Sequence, residues 1–422
     1  MTDRIGNVAL AATLLHANGQ TTQRVISATT RLAEAYGYEI RVLPQWDDII
    51  FRFRPKGVSD APWQTEMVHV RPTGVDMNKV SLTTSLIDQV ATHPEPITQK
   101  QLDETTATLQ HIASLKPSSH PRFILMAGVG AAALGVIFGV TSGITLALIF
   151  FAAILGAILR RGLARSSDNL FVQPFVAALV AGLVGGAAQR TLDSVDLQFV
   201  DIAPCMILVP GAHILNAALD LVRGRLNLGV SRLAYCGLIL LSICAGLLIG
   251  LVLMSASLAQ GTASAPVPLW LDMLAAGLAV AAFGAFFSLP WKILLAPIAV
   301  GMMCHASRWL ILDQGGGVAL GAFVACLLAG TVTALLARWL RLPFAALAFS
   351  AVVSMMPGIF LFKFASGIVN VYLAGEATSL SVLTDVVSNG TASLLIVMVM
   401  TFGLVFPKML IDGWLGADDL KQ

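Results

Sequence analysis

Two hydrophobic rhythms divide the chain. Up to residue 121 the apolar positions recur at helical spacing and then alternate; beyond it they run almost unbroken. Ile5 to Asn18 repeats apolar residues every third or fourth position and stops at Gly19. "TQRVISATTRLAEAYG" does the same up to Gly37, with Thr21 or Thr22 able to cap it. "YEIRVLP", "DDIIFRFRP" and "TEMVHVRP" alternate or cluster β-branched and aromatic residues between Pro, Gly and Asp, which predicts half-buried strands. "DMNKVSLTTSLIDQVATH" and "TQKQLDETTATLQHIASLKP" return to helical period, and Thr98 followed by Gln101 three residues on predicts a capping box. Residues 1–121 therefore predict a small soluble α+β domain.

The rest is read against the roughly 20 apolar residues that a membrane span requires. Ten spans are expected, at 123–141, 143–159, 170–188, 197–217, 229–254, 267–288, 290–311, 316–337, 343–365 and 388–407. Basic residues set their direction. Arg160, Arg161, Arg165, Arg223, Arg225, Arg232, Lys292, Arg338, Arg341 and Lys408 all fall on the side that carries the N-terminal domain, with Arg190 and Arg308 as exceptions. Both termini are expected in the cytoplasm, in a multi-pass protein of the cell (inner) membrane.

Composition agrees with that division. Of 422 residues 56% are apolar and 12% charged, far from the habit of soluble domains. Residues 1–122 hold 12 Lys or Arg and 12 Asp or Glu, while the remaining 300 hold only 14 and 12. The net charge of +2 gives no electrostatic footprint for nucleic acid. Cys205, Cys236, Cys244, Cys304 and Cys326 lie in or beside apolar segments without zinc spacing, and His69, His93, His111 and His120 share no ligand spacing. No metal and no cofactor is expected.

A repeat is visible inside the apolar region. "LMAGVGAAALGVIF" (125–138) and "LAAGLAVAAFGAFF" (274–287) align without gaps at an offset of 149 and agree at seven positions. Pro210-Gly211 and Pro357-Gly358 are 147 apart, each in the fourth span of a set of five. An odd number of spans turns the second copy over, so the expected architecture is a 5+5 inverted repeat, 122–260 and 261–422. Inverted repeats are a transporter architecture, with the site near the midplane at interrupted helices.

The chemistry gathers at the two interruptions. His213, Asn216 and Asp220 follow Pro210-Gly211 at i, i+3 and i+7, which puts them on one helical face. Ionisable groups in a span normally face a bundle interior or a pathway. Aligning the prolines sets Lys363 opposite Asn216. Pro210, Gly211, His213, Asn216, Pro357, Gly358 and Lys363 are the expected substrate-binding residues, with helix-end amides and Lys363 for a carboxylate and Asn216 with unwound carbonyls for an ammonium or hydroxyl. Asp220, His213 and Arg223 are the candidates for a proton site or gate. The plainer alternatives are a packing role for His213, pairing of Asp220 with Arg223 or Arg225 at the interface, and a Lys363 that snorkels outward. Asp201, Asp272 and His305 lie towards span ends and are weaker candidates.

"LVPGAHILNAALDLVRGRLNLGVSRL" resembles the threonine/serine exporter family, with Pro210, Gly211, Asn216, Asp220, Gly224 and Gly229 matching its pattern and His213 and Arg225 departing from it. "LLHANGQTTQRVISATTRLAEAYG" and "VRPTGVDMNKVSLTTSLIDQV" are similar to the family's N-terminal region, and "SMMPGIFLFKFASGIV" more loosely to its second half. The resemblance implies a cytoplasmic domain fused to ten spans and proton-motive-force-driven antiport of threonine, serine or a similar small polar metabolite; a related split form implies dicarboxylate export. A channel lacks its charged rings or filter loop, and an enzyme lacks a convergent acid, base or metal set. A scaffold acting through the N-terminal domain would not need two mirrored helix breaks. The expected partners are thus the small metabolite, protons and lipid, with a homo-oligomer left open.

Overall fold

Gly19 and Gly37 end the first two helices with positive φ, at +87° and +83°, a backbone region where a Cβ is costly. The computed structural model describes residues 3–58, 60–92, 96–167, 169–192, 195–258, 266–339 and 344–419. Helices α1 (Asp3–Ala17) and α2 (Thr22–Ala35) precede strands β1 (Tyr38–Pro44), β2 (Asp48–Pro55) and β3 (Gln64–His69), which form an antiparallel sheet in the order β1-β2-β3. The strands alternate as their sequences do: Ile40, Val42, Ile49, Phe51 and Phe53 are buried in one core with Val8, Leu15, Val25 and Leu32 of the helices. Helices α3 (Met77–Ala91) and α4 (Gln99–Ser114) complete this N-terminal unit. Thr98 and Gln101 form the reciprocal capping box. Thr21 stands at the N-cap of α2 without a side-chain capping bond.

Long apolar helices follow: α5 (His120–Ile137), α6 (Gly143–Leu163), α7 (Val172–Thr191), α8 (Gln198–Met206), α9 (Gly211–Val222), α10 (Leu226–Leu253), α11 (Leu269–Phe286), α12 (Trp291–Asp313), α13 (Val318–Trp339), α14 (Phe344–Val352), α15 (Gly358–Ala374) and α16 (Leu380–Asp419). Among the described residues nine segments are long and apolar enough to cross a membrane, and the bent pair α8 and α9 brings the number to ten. The protein is a polytopic helical membrane protein. Its tightest seam joins α7 to α10, where Gly182 lies against the Leu247 carbonyl and Gly246 against that of Phe175; small residues allow such backbone approach in lipid, where apolar burial between helices gives little drive.

The last two spans differ from the expected ranges. The sequence predicts a long connection from 366 to 387, yet α15 runs on to Ala374 and α16 begins at Leu380. Thr384, Asp385, Ser388 and Asn389 lower the local hydropathy without breaking the helix, since α15 and α16 pack on each other through Gly367 against Val386 and Gly390 against Phe364. His93, Arg341 and the expected boundary at 260–261 lie outside the described residues.

The ends of α5 and α11 share local geometry. After α5 the N–H of Gly139 bonds the Val136 carbonyl and that of Val140 bonds Gly135; after α11, Ser288 bonds Ala285 and Leu289 bonds Gly284. Gly139 and Ser288 both have positive φ, at 82° and 56°.

Candidate functional site

Each proline break is a tight turn of one form. Pro210 has φ −81° and ψ 54°, Pro357 φ −77° and ψ 43°. Across them the Gly211 N–H bonds the Val209 carbonyl at 2.9 Å and the Gly358 N–H bonds the Met356 carbonyl at 2.8 Å, the pattern of an inverse γ-turn. The first break bends its helix pair by 53°. The two breaks cross: Gly211 lies under the ring of Phe349 on α14, and Gly358 lies against Met206 on α8.

The polar face after the first break meets the N-terminal unit. Asn216 Nδ2 donates to the Gly19 carbonyl at 3.0 Å, and the Thr22 hydroxyl donates to Asp220 Oδ2 at 2.9 Å. Asp220 is paired with Arg232 of α10, whose Nε is 3.2 Å from Oδ2, and with Arg225, whose Nη1 is 3.4 Å from Oδ1. Arg225 also donates to Gln23 Oε1 at 2.6 Å. The Asp220 and Arg232 side chains are 2% and 1% exposed, so the pair is fully withdrawn from water. The expected partnership of Asp220 with Arg225 is present, and Arg232 joins it. Arg223 ends α9 as its C-cap residue.

His213 is enclosed in the same contact. Its ring lies edge-on to Tyr235, with centroids 5.4 Å apart; Trp46 also packs on Tyr235 at 5.2 Å, and the Thr73 backbone bonds the imidazole. His16 of α1 is buried nearby and bonds the Gln45 carbonyl at 3.1 Å. Burial, then the Arg232 charge, lowers its pKa to about 3, with the Gln45 bond opposing and His213 adding a little. The unit also touches the second half: the Met77 N–H bonds the Phe287 carbonyl at 2.8 Å, and Ser118 bonds Ser288 and Ala285.

The residues around the second break are disposed differently. A cavity of about 240 Å³ is lined by Pro357, Lys363, Ser354, Arg308, Gln198 and Asn389 with apolar neighbours that include Phe138, Phe199 and Ile396. Phe138 follows the end of α5, which starts beside the N-terminal unit, and Gln198 opens α8; the cavity therefore lies on the far side of the breaks. Lys363 is 3% exposed and turned inward rather than out to the surface, within electrostatic reach of Asp385. Behind Ser354, His305 Nε2 lies 2.6 Å from its Oγ, and His305 Nδ1 lies 3.0 Å from Asp272 Oδ2.

Of the expected substrate residues, then, Pro357 and Lys363 line the cavity, Gly358 packs beside it, Pro210 and Gly211 form the crossing, and His213 and Asn216 face the N-terminal loop. Arg308, Ser354, Gln198 and Asn389 are not among the substrate residues that the sequence predicts. The available signal for Arg308 was its place among the few basic residues on the wrong side of the charge bias, three positions after His305.

Residues 7–254 match a family described as threonine/serine exporters, and residues 272–410 match a second family of the same description. The chain belongs to the threonine/serine exporter family. Members are transporters, which fits a site made of a cavity and helix breaks rather than of reacting groups. The first match spans both the N-terminal unit and the helices through α10, and the second takes up at α11. No solved structure matches the chain.

Proposed function

We propose that this exporter-family protein carries threonine, serine or a closely similar small polar metabolite out of the cell across the inner membrane by alternating access, driven by the proton motive force. The observation that carries this reading is the asymmetry of the two breaks: a largely apolar cavity into which Lys363, Arg308, Ser354, Gln198 and Asn389 project adjoins the second, while the polar face of the first is closed by the N-terminal loop. With both termini cytoplasmic, as the basic loops imply, the cavity is the outward-facing half of a path and the contact of Gly19, Thr22 and Gln23 with α9 and α10 is its closed inner gate. Lys363 and Arg308 would hold the carboxylate, with Ser354, Gln198 and Asn389 for the ammonium and hydroxyl. When the loop withdraws, Pro210, Gly211, His213 and Asn216 become the inward-facing surface of the same site, and Asp220 is the hinge of the gate.

The halves 122–260 and 261–422 are then inverted copies. Their like γ-turns and their like helix ends at Gly139 and Ser288 support that, and two copies of opposite direction supply the two access states. Two cations lining one cavity also favour a second substrate reading, export of a dicarboxylate.

Efflux from vesicles loaded with threonine, serine or succinate separates these readings. Lys363→Ala and Arg308→Ala are each expected to raise the half-saturating concentration of the true substrate about ten-fold or more, as the loss of a charge-assisted bond of roughly 1.5–3 kcal/mol implies. Unchanged transport in both variants would remove the cavity from the path.

A further inference from the structure

Asp272 of α11, His305 of α12 and Ser354 of the turn between α14 and α15 form an unbroken hydrogen-bonded row, with Nδ1 to carboxylate at 3.0 Å and Nε2 to hydroxyl at 2.6 Å. All three are closed to water, at 2%, 0% and 2% exposure. The Ser354 end of the row reaches the cavity beside the second break. A buried row of this kind needs a reason, because apolar packing would satisfy the same space without the cost of desolvating a carboxylate.

The carboxylate fixes the imidazole. Asp272 accepts from Nδ1–H, which leaves Nε2 of a neutral ring as an acceptor for the Ser354 hydroxyl. The free lone pairs of Ser354 Oγ then face the cavity and can only accept, which suits an ammonium. Adding one proton at His305 reverses the row: Nε2–H donates to Ser354 Oγ, and the hydroxyl hydrogen points into the cavity, which suits a carboxylate or water. The Ser354 hydroxyl passes its hydrogen to Nε2 and takes another from a hydronium in the cavity, so one N–H and one O–H bond form as two O–H bonds break, and the net reactant is a single proton. In hydrolases the same order of groups activates a serine nucleophile. In a transporter no substrate bond is cleaved, and proton movement is the part of that chemistry that remains.

The charged surroundings are few. Arg308 lies one turn on along α12, within electrostatic reach of Asp272, and faces the same cavity as Lys363. Cys304 precedes His305, Cys326 of α13 lies beside Cys304, and the sequence of α14 carries no titratable residue.

We propose that the Asp272–His305–Ser354 row is the proton-coupling element of this transporter, in which the protonation state of His305 sets whether Ser354 presents an acceptor or a donor to the substrate. This rests on the exporter reading. The test uses the full-length protein in liposomes with threonine, serine and succinate as probes, comparing net transport with and without a pH gradient. In the parent the gradient should accelerate net transport of one probe several-fold. In His305→Gln that ratio should fall to near one, whatever the absolute rate, and in Ser354→Ala, a smaller change, the ratio should fall together with a rise in the half-saturating concentration. Retention of the parent's ratio in His305→Gln overturns the proposal, as does a parent that transports a probe without any response to pH. A parent that moves none of the probes overturns the exporter reading itself. Proton uptake on binding of the transported probe, followed in weakly buffered detergent solution, gives the same answer for a variant too slow to assay: about one proton for the parent and none for His305→Gln is expected, and equal uptake in both overturns it.

Discussion

Asp220 is the residue on which most of the contact between the N-terminal unit and α9 and α10 converges, and its partners come from three places: Thr22 of the N-terminal unit, Arg225 at the head of α10 and Arg232 within it. Removing one member of such a pair leaves a buried charge alone, which costs about 3–5 kcal/mol, whereas a single hydroxyl bond contributes about 1 kcal/mol. Asp220→Asn should therefore lower the thermal midpoint of the purified protein severalfold more than Thr22→Val; equal midpoints for Asp220→Asn and the parent would mean that Arg232 is compensated by another group. The sequence displays Asp220 openly, as an acid at i+7 from His213 on a face of an apolar helix. It cannot display Thr22, 198 positions away, whose hydroxyl looks like an ordinary cap beside Gly19. His305 was similarly concealed, since its significance depends on Asp272 and Ser354 from other helices.

Among the elements, the broken helices carry the clearest sequence signature and the clearest physical consequence. Pro-Gly in an apolar run foretells each turn, because proline removes a donor and clashes with the preceding helical turn. What it does not foretell is the neighbour. Gly211 is pressed under the Phe349 ring, which is 2% exposed and held in the central core, while Gly358 meets the flexible side chain of Met206. Gly211→Ala should consequently cost about 1–3 kcal/mol through overpacking, and Gly358→Ala distinctly less as Met206 changes rotamer. Comparing the two midpoints checks this; a larger loss for Gly358→Ala would show that Phe349 yields more readily than Met206. Hydropathy located the long helices well but ended span nine too early, since Asp385 and Asn389 read as loop residues on one strand of sequence and as part of α16 once α15 is packed beside them.

For the whole molecule, the N-terminal unit acts as a clamp across both halves, on α9 and α10 through Asn216, Asp220 and Tyr235 and on the end of α11 through Phe287 and Ser288. His16 makes that arrangement sensitive to acid. Its pKa of about 3 lies below the ordinary 6.5, so between those values the unfolded chain binds a proton that the folded one does not, and stability falls as the pH drops. Between pH 6.5 and 5 the loss amounts to about 2 kcal/mol at 1.4 kcal/mol per unit. His16→Gln should show a smaller drop in thermal midpoint between pH 7.5 and 5 than the parent does; an identical drop would assign the acid sensitivity to other groups.

The reach from Thr22 to Asp220 also bears on how the protein is made. Synthesis at roughly 5–20 residues per second brings Asp220 out of the ribosome roughly 10–40 s after Thr22, long enough for a unit with its own core to fold first. The N-terminal unit is then folded before α9 and α10, the helices that it packs against, have been made.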